Sequence, residues 1–114
     1  MQWTKTDMDF TFMRTVEESV LQACKIDKDY YNKYRERRRS EIILVKQIAC
    51  HYLCENTLYS TSTIGLFLGI ERSTVIYHRK RCKELLDVDK NFANIYKEGS
   101  DIIASKLAKM RDNY

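Results

Sequence analysis

Two short stretches carry all of the excess positive charge in this chain, and clustered Lys and Arg side chains are groups that bind phosphate. Residues 30–39 (YYNKYRERRR) hold five basic residues against one acidic residue, and residues 72–83 (RSTVIYHRKRCK) hold five against none. The rest of the chain is slightly acidic, because the net charge of all 114 residues is only +4. Basic stretches on a near-neutral body are typical of nucleic-acid-binding proteins. A solvated helix face is the alternative explanation for either stretch taken alone.

The composition favours a helical protein that is not an enzyme. The chain has no proline and three glycines, which are too few breakers for a turn-rich β-sandwich. Gly65, Gly69 and Gly99 can form neither a phosphate-binding loop (G-x-x-x-x-G-K-[ST] or G-x-G-x-x-G) nor a G-x-S-x-G nucleophile elbow. His78, predicted to be half-buried, and His51, predicted to lie on a helix surface, have no nucleophile at local spacing. With 44% hydrophobic residues and the length of one domain, we predict a single all-α domain without a cofactor.

Nothing in the sequence predicts a secretory or membrane location. The start, MQWTKTDMDF, lacks a basic region followed by an apolar one, and no apolar run approaches the roughly 20 residues needed to cross a bilayer. We therefore predict a cytoplasmic protein with no membrane partner and with reduced cysteines. Cys50, His51, Cys54 and Cys82 offer zinc-ligand chemistry, but the usual paired, short-spaced zinc knuckles are missing, so we predict packing rather than a metal site.

The spacing of apolar residues predicts a series of helices. Residues 1–12 show no helical period and are predicted to form an arm, whereas residues 13–98 are predicted to form the domain. Residues 99–114 extend the last helix, and the sequence leaves open whether this extension folds back or pairs with a second copy. Predicted helices start at Met13, after Asp27, at Ser40 (its predicted N-cap), after Ser60, at Arg72 and after the DVDKN segment, and the basic loop RERRR occupies residues 35–39.

Residues 61–80, TSTIGLFLGIERSTVIYHRK, match the helix-turn-helix template position by position. The fifth position, Gly65, must be small because the two helices cross there, and the ninth, Gly69, suits the left-handed backbone of the turn. A plain helical hairpin with basic surface residues is the alternative. The template predicts four apolar residues between the helices, namely Ile64, Leu68, Ile70 and Val75.

The same template predicts which side chains of the second helix, residues 72–86, face the major groove of DNA. Arg72 and Ser73 lie at its N-terminus, which contacts base edges, and an arginine there can bind guanine through two hydrogen bonds. Ile76 suits contact with a thymine methyl group. The other outward positions are Glu71, Tyr77 and Lys80, and the basic residues predicted to contact phosphates are Arg79, Lys80, Arg81 and Lys83.

From about Met13 to Tyr96, the chain resembles the C-terminal DNA-binding domain of the bacterial replication initiator DnaA family. The segment TVEESVLQACKIDKDYYNKYRERRRSEIILVKQIACHYL resembles that family's opening helix, its short acidic-capped helix, its basic loop and its R-Q-I-A-M-Y-L helix. The segment GIERSTVIYHRKRCKELL resembles the family's G-G-R-D-H-T-T-V-L-H-A signature region. The resemblance implies an all-α fold that binds duplex DNA through a helix-turn-helix.

The resemblance also implies roles for individual residues. A basic-loop arginine of the family enters the minor groove, and Arg38 is the best-matched position, with Arg37 and Arg39 beside it as phosphate contacts. The family's Arg-Gln pair, a phosphate and backbone clamp, falls on Lys46 and Gln47. The signature D-H-T-T falls on Glu71, Arg72, Ser73 and Thr74, which are thereby expected to contact bases. The start of the family's S-L-P-E-I-G segment falls on Thr61 and Ser62, which are expected to contact phosphates. The backbone N–H groups of a helix start also suit an anion there.

This sequence departs from the family's pattern in three ways. The turn is one residue shorter and lacks the double glycine, and Arg72 stands where the signature has histidine, so the family's usual DNA site need not be the site bound here. The printed sequence holds no counterpart of the family's ATPase domain, so we expect this chain not to act as an ATP-driven initiator. We expect a regulator, a competitor for similar sites or a factor of a phage or mobile element, acting in replication initiation, its regulation or transcription control.

Two other functions stay open from the sequence. A helical adaptor would bind a replication or transcription protein through the last helix, without contacting DNA. Alternatively, Tyr30, Tyr31 and Tyr34 beside the basic loop would stack on bases of single-stranded DNA or RNA, although such tyrosines more often pack onto a core. The predicted partner is double-stranded DNA, with a protein partner and a homodimer as open additions.

Overall fold

The structure, a computed structural model, describes the backbone of residues 5–112 and the side chains of residues 11–110. All regular structure in this range is helical, which confirms the predicted all-α fold class. Among the helices described, none combines the length and the apolar character that crossing a bilayer requires. The helices are α1 (Lys5–Cys24), α2 (Lys28–Tyr34), α3 (Ser40–Asn56), α4 (Thr61–Leu68), α5 (Arg72–Val88) and α6 (Lys90–Asp112).

Side-chain caps fix where three of the helices begin. Asp27, Ser60 and Asp89 each accept a hydrogen bond from the backbone N–H three residues later, at 3.0, 3.1 and 3.1 Å. Each bond satisfies one of the N–H groups that the first turn of a helix leaves unpaired. The caps at Asp27 and Ser60 are those that the sequence predicts.

The N-terminal helix begins earlier than its apolar pattern predicts. α1 starts at Lys5, so residues 5–12 are helical and do not form an arm, while residues 1–4 lie outside the described residues. No glycine or proline interrupts this stretch, and its two aspartates favour a helix N-terminus electrostatically. Phe12 also packs against the core, which extends the buried face of α1 upstream of the predicted start.

α3 begins at Ser40, as predicted, but the predicted capping role of Ser40 is wrong. Ser40 is the first helical residue and does not cap the helix. The cap position belongs to Arg39, which has extended backbone angles and forms no side-chain hydrogen bond to the helix start. A long cationic side chain cannot accept a hydrogen bond from a backbone N–H, so the start of α3 has no side-chain cap.

The central helix is α3, which packs against both α1 and α5. Its apolar residues recur every three or four positions and are almost fully buried. They join apolar residues of every other helix in one core. This core includes Val16 and Val20 of α1, Tyr31 of α2, Ile42, Val45, Ile48 and Leu53 of α3, Ile64 and Leu68 of α4, Val75 and Cys82 of α5, and Phe92 and Ile103 of α6.

The helices α4 and α5 are joined by the three-residue turn 69–71 and approach each other closely. A Cβ added to Gly65 would lie 2.6 Å from the backbone oxygen of Ile70 and 3.3 Å from the side chain of Val75, so glycine is needed there. Gly69 has a φ of +71°, in the left-handed region that favours glycine, and its N–H bonds to the carbonyl of Gly65. Of the apolar residues predicted between these helices, Ile64, Leu68 and Val75 are buried and Ile70 is partly buried.

The last helix folds back along the first. Gly99 of α6 faces α1, where an added Cβ would lie 3.6 Å from the Cβ of Ala23, and Ile103 is only 1% exposed. α6 runs without interruption through Gly99, so no break in the helix marks the start of the predicted extension at residue 99. Of the two arrangements that the sequence left open for this extension, the structure adopts the one in which it packs on its own domain.

Candidate nucleic-acid interface

A groove of about 840 Å³ runs between the basic loop and α5. Loop residues 36–38 line it on one side, and α4, the turn and the first half of α5 line it on the other. We call it the loop–α5 groove. It brings together six residues that the sequence predicts to contact DNA, namely Arg37, Arg38, Lys46, Glu71, Thr74 and Tyr77, and its other lining residues are Glu36, Gly65, Leu66, Gly69, Ile70 and His78.

The remaining predicted DNA contacts lie outside the groove lining. Most of them are exposed, and Gln47 and Thr61 are half-buried. They flank the groove on the loop, on α3, on α4 and on the outer face of α5. These residues are Arg39, Gln47, Thr61, Ser62, Arg72, Ser73, Ile76, Arg79, Lys80 and Arg81.

Lys46 is a nearly buried lysine that lines this groove. It is only 5% exposed and forms no hydrogen bond or ion pair with any residue that the structure describes. Burial of its ammonium group and, next, the nearby charge of Arg35 hold the pKa of Lys46 below its ordinary value. The charges of Glu17 and Glu36 favour the ammonium form, and an anion in the groove would stabilise the partly desolvated ammonium group of Lys46 further.

The basic loop leaves the guanidinium groups of Arg37 and Arg38 free. Both side chains are exposed, and neither guanidinium has a partner among the residues described. Arg39 is engaged within the protein: its guanidinium carbon lies 4.0 Å from the centre of the Tyr34 ring, and it donates a hydrogen bond of 3.3 Å to the hydroxyl of Tyr30. The loop therefore presents two of its arginines to the groove and holds a third against α2.

The start of α5 presents polar side chains that are partly organised by α4. Arg72 is exposed, and its Nε donates a hydrogen bond of 3.0 Å to Oγ1 of Thr61 at the start of α4. Ser73 beside it is exposed. Arg72, which is predicted to contact a base, is thus oriented by Thr61, which is predicted to contact a phosphate.

Apolar side chains are unusually exposed beside these polar ones. Ile76 and Tyr77 of α5 are 47% and 60% exposed, and Leu66 of α4 is 75% exposed. Burial of such side chains against a partner is favourable, because it removes apolar surface from water. The edges of bases offer apolar groups of this kind, the thymine methyl above all.

Further along α5, the basic side chains are partly neutralised by carboxylates. Arg79 forms an ion pair with Glu55 of α3, with 2.7 Å between Nη2 and Oε1. Nη1 of Arg81 lies 3.4 Å from a carboxylate oxygen of Glu84. Both pairs are exposed, and exposed pairs are weak, so either arginine can exchange its carboxylate for a phosphate. Lys80 has no such partner among the described residues.

The tyrosines next to the basic loop belong largely to the core. Tyr31 is fully buried, and its hydroxyl donates a hydrogen bond of 2.7 Å to the carboxylate of Glu17. Tyr30 and Tyr34 are half-buried against the core, with 4.9 Å between their ring centres. The packing alternative therefore describes these side chains better than a stacking surface for single-stranded bases.

Both histidines are more buried than the sequence predicts. His78 is 7% exposed, and its Nδ1 is buried without a hydrogen-bond partner in the described part of the chain. Nδ1 of His51 lies 2.8 Å from the hydroxyl of Tyr96, so His51 joins α3 to α6 and is not a free surface residue. Burial lowers the pKa of both imidazoles, which keeps both rings neutral at pH 7.

The cysteines are thiols that pack in or against the core. Cys50 and Cys82 are buried, Cys24 and Cys54 are half-buried, and none of them forms a disulfide. Burial raises the pKa of Cys24 to about 11 and that of Cys82 to about 12, so both thiols stay protonated. Among the described residues, no group of three or more His, Cys, Asp or Glu side chains is placed to hold a metal ion.

Three residues next to this surface were not singled out from the sequence, although each carries a recognisable signal. Glu17 shares the helical spacing of Met13 and Val20, which places a carboxylate at a core position of α1. Leu66 is a large apolar residue at an outward position of α4. Arg35 was counted only as one charge of the loop, and its inward orientation depends on a partner far away in sequence.

Comparison with known proteins gives sequence relatives but no family model that matches. The chain is 30% identical over 94 residues to the chromosomal replication initiator protein DnaA of Bacteroides thetaiotaomicron, in a match that covers 81% of this chain and 20% of that protein. It is 30% identical over 80 residues to DnaA of Bacteroides fragilis, covering 68% of this chain and 17% of that protein. The chain thus spans about a fifth of the length of the curated relatives it matches. Over most of its length, this chain is therefore similar in sequence to the chromosomal replication initiator DnaA, which confirms the resemblance that its motifs indicated.

Proposed function

We propose that this chain binds double-stranded DNA sequence-specifically, with α4 and α5 acting as a helix-turn-helix. The N-terminal half of α5 enters the major groove, and the basic loop at residues 35–39 enters the adjacent minor groove. The observation that carries this proposal is the loop–α5 groove, which is lined by two free arginines, by Lys46, which has no hydrogen bond or ion pair among the described residues, and by the first turns of α5.

The geometry of a duplex supports this assignment. Neighbouring major and minor grooves of DNA are separated by one sugar-phosphate strand, so a protein with an element in each groove must hold that strand between the two elements. The loop–α5 groove is the space between these elements, and Lys46 lines it. A phosphate in this position supplies the anion that Lys46 lacks within the protein.

The proposed contacts divide into those to bases and those to the backbone. Arg38 reads the minor groove from the loop, while the start of α5 reads the major groove and its exposed Ile76 contacts a thymine methyl group. Phosphate contacts come from the loop, from the middle of α3, from the start of α4 and from the middle of α5. The base-contacting residues are Glu71, Arg72, Ser73, Thr74, Ile76, Tyr77 and Arg38, and the phosphate-contacting residues are Arg37, Arg39, Lys46, Gln47, Thr61, Ser62, Arg79, Lys80 and Arg81.

We place this activity in replication initiation or its regulation. The two relatives are named as chromosomal replication initiators, and the matched region is about a fifth of each. The similarity to these relatives supports a DNA-binding role without catalysis for this chain. This role has two forms: a regulator that competes for sites similar to those of the relatives, and a regulator with its own operator. The DNA sequence that the chain binds would distinguish them.

The test is fluorescence anisotropy of the chain with a random duplex pool at two salt concentrations, followed by sequencing of the bound DNA. We expect an enriched motif and a steep loss of affinity with salt, because phosphate contacts release counterions. Arg72→Ala should relax the motif at one position, whereas Lys46→Ala should weaken all duplexes alike and lower the salt slope by about one.

Lys97→Ala is the matched control, since Lys97 is an exposed lysine of α6 that does not line the groove. It should change neither the motif nor the salt slope. Salt-sensitive binding without an enriched motif would contradict sequence specificity and point to an architectural role. No binding to any duplex at low salt would contradict the proposal and favour a protein–protein adaptor.

A further inference from the structure

A polar cluster that is largely buried joins α1, α2 and the first residue of the basic loop. Glu17 of α1 is 7% exposed, and one of its carboxylate oxygens, Oε2, accepts two hydrogen bonds. One comes from the hydroxyl of Tyr31 at 2.7 Å and the other from Nε of Arg35 at 3.0 Å. A buried carboxylate with two donors, one of them charged, fixes the side chains that it binds far more firmly than an exposed pair does.

Arg35 also binds α4 with the other end of its guanidinium group. Its Nη2 donates a hydrogen bond of 2.6 Å to the backbone carbonyl of Phe67, and its guanidinium carbon lies 5.3 Å from the centre of the Phe67 ring. Phe67 belongs to the last turn of α4, where helix carbonyls lack intrahelical partners and a cation is favourable. One planar side chain thus binds α1 through Nε and the C-terminal end of α4 through Nη2.

These contacts define the position of the loop relative to α4 and α5. Arg35 is the first residue of the loop and precedes the free arginines at 37 and 38. α4 in turn fixes α5 through the close approach at Gly65. The other end of the loop is held by Arg39 over the ring of Tyr34, so the loop is anchored at both ends and only its middle is free.

We propose that Arg35 is a positioning residue that fixes the spacing between the minor-groove arginine, Arg38, and the major-groove helix, α5. The inference rests on the proposed function, because spacing matters only if both elements bind one duplex. It assigns Arg35 no contact with DNA, although Arg35 belongs to the basic loop. Its cation is already engaged with Glu17 and Phe67, and its side chain is 24% exposed.

The test is a double-mutant cycle measured by anisotropy on the duplex enriched from the random pool. Arg38→Ala is expected to weaken binding about tenfold in the wild-type chain and less than about threefold in an Arg35→Lys background. Lysine keeps the charge and can pair with Glu17, but one ammonium group cannot reproduce the two contacts that separate guanidinium nitrogens make. Lys80→Ala on α5 should cost the same in both backgrounds, because α5 does not depend on the loop anchor.

The matched control is Lys28→Gln, which removes an exposed ion pair, 2.9 Å long, between α2 and Glu18 of α1, next to Glu17. In that background Arg38→Ala should still cost about tenfold. Circular dichroism confirms that each variant is folded at the assay temperature, and Glu17→Gln replaces Arg35→Lys if the latter unfolds.

An equal cost of Arg38→Ala in the wild-type and Arg35→Lys chains would overturn the inference and leave Arg35 as a fold-stabilising residue only. Such a result would leave the proposed function intact, since the wild-type chain would still bind and Arg38 would still contribute. Failure of the wild-type chain to bind any duplex would overturn the proposed function, and the inference with it.

Discussion

The basic loop and the basic part of α5 differ in how their charges are held. Each of the stretches 30–39 and 72–83 contains five basic side chains. In the first, Arg35 pairs with a carboxylate whose side chain is 10% exposed; in the second, Arg79 pairs with Glu55, whose side chain is 42% exposed. A buried pair fixes a segment in place, whereas an exposed pair mainly neutralises charge and is easily exchanged. Equal charge in the sequence therefore corresponds to different roles in the structure.

The two segments also differ in what sets their position. The loop has no regular structure of its own and depends on the side-chain contacts of Arg35 and Arg39. α5 is positioned by the contact of two backbones at Gly65, where a Cβ would meet a carbonyl oxygen at 2.6 Å. The loop is thus sensitive to loss of a partner, and α5 is sensitive to added volume.

The largest expected effect tests the difference between the two ion pairs. Glu17→Ala should lower the free energy of unfolding by about 3 kcal/mol, because it leaves Arg35 and Tyr31 without their buried acceptor. Glu55→Ala should lower it far less, because the partner Arg79 stays solvated. Urea denaturation of both variants measures the difference, and similar losses for the two would remove the basis of the comparison.

A somewhat smaller effect tests how α5 is positioned. Gly65→Ala should lower the free energy of unfolding by about 2 kcal/mol, since a backbone oxygen must move. Gly99→Ala, also inside a helix, should raise it by up to about 1 kcal/mol, because its Cβ meets only ordinary contacts and alanine favours the helix. Thermal and urea denaturation provide the measurement. If both substitutions changed the free energy of unfolding in the same direction, Gly65 would not set the close approach of α4 and α5.

The smallest expected effect is on the pH dependence of stability. It tests α5 and not the loop, because the loop contains no histidine. Burial of the His78 ring, with a further contribution from Lys46, holds its pKa below the ordinary value of about 6.5. The folded chain therefore binds fewer protons than the unfolded chain near that pH, so stability should fall as the pH decreases from 7.5 to 5.5. His78→Gln should reduce this fall when urea denaturation is measured at both pH values. His51→Gln should also reduce it, since burial lowers that pKa too.

An unchanged pH dependence in His78→Gln would show that His78 does not contribute to it. Glu41 and Glu55 do not confuse the measurement, because hydrogen bonds from Tyr30 and Arg79, respectively, lower the pKa values of these carboxyls. Both groups therefore titrate below the range examined.

Much of the fold could be predicted because the information is local. Apolar spacing locates α3, and the cap residues Asp27 and Ser60 locate the starts of α2 and α4. Gly65 and Gly69 have the roles that their places in the template indicate. The start of α1 at Lys5 was missed because residues 5–12 carry no clear apolar period, although nothing in them breaks a helix.

The candidate site was predicted less completely, because it depends on contacts between distant parts of the chain. The sequence identifies residues 35–39 as basic, but only the contact with Glu17, 18 residues away, turns Arg35 inward and leaves Arg37 and Arg38 outward. The burial of Lys46 likewise depends on the packing of α3 against α1 and α5. Local charge patterns cannot reveal which member of a basic run has a partner.

The packing of α6 along α1 has a consequence for the order of folding. The contact between Gly99 and Ala23 joins helices from the two ends of the described chain, and the entropy cost of closing a loop grows with its length. The contacts among α3, α4 and α5 join nearer neighbours, and α6 contributes no residue to the lining of the loop–α5 groove. We therefore expect the groove to be complete while α6 is still undocked, so that during synthesis the surface proposed to bind DNA matures before α6 packs on α1.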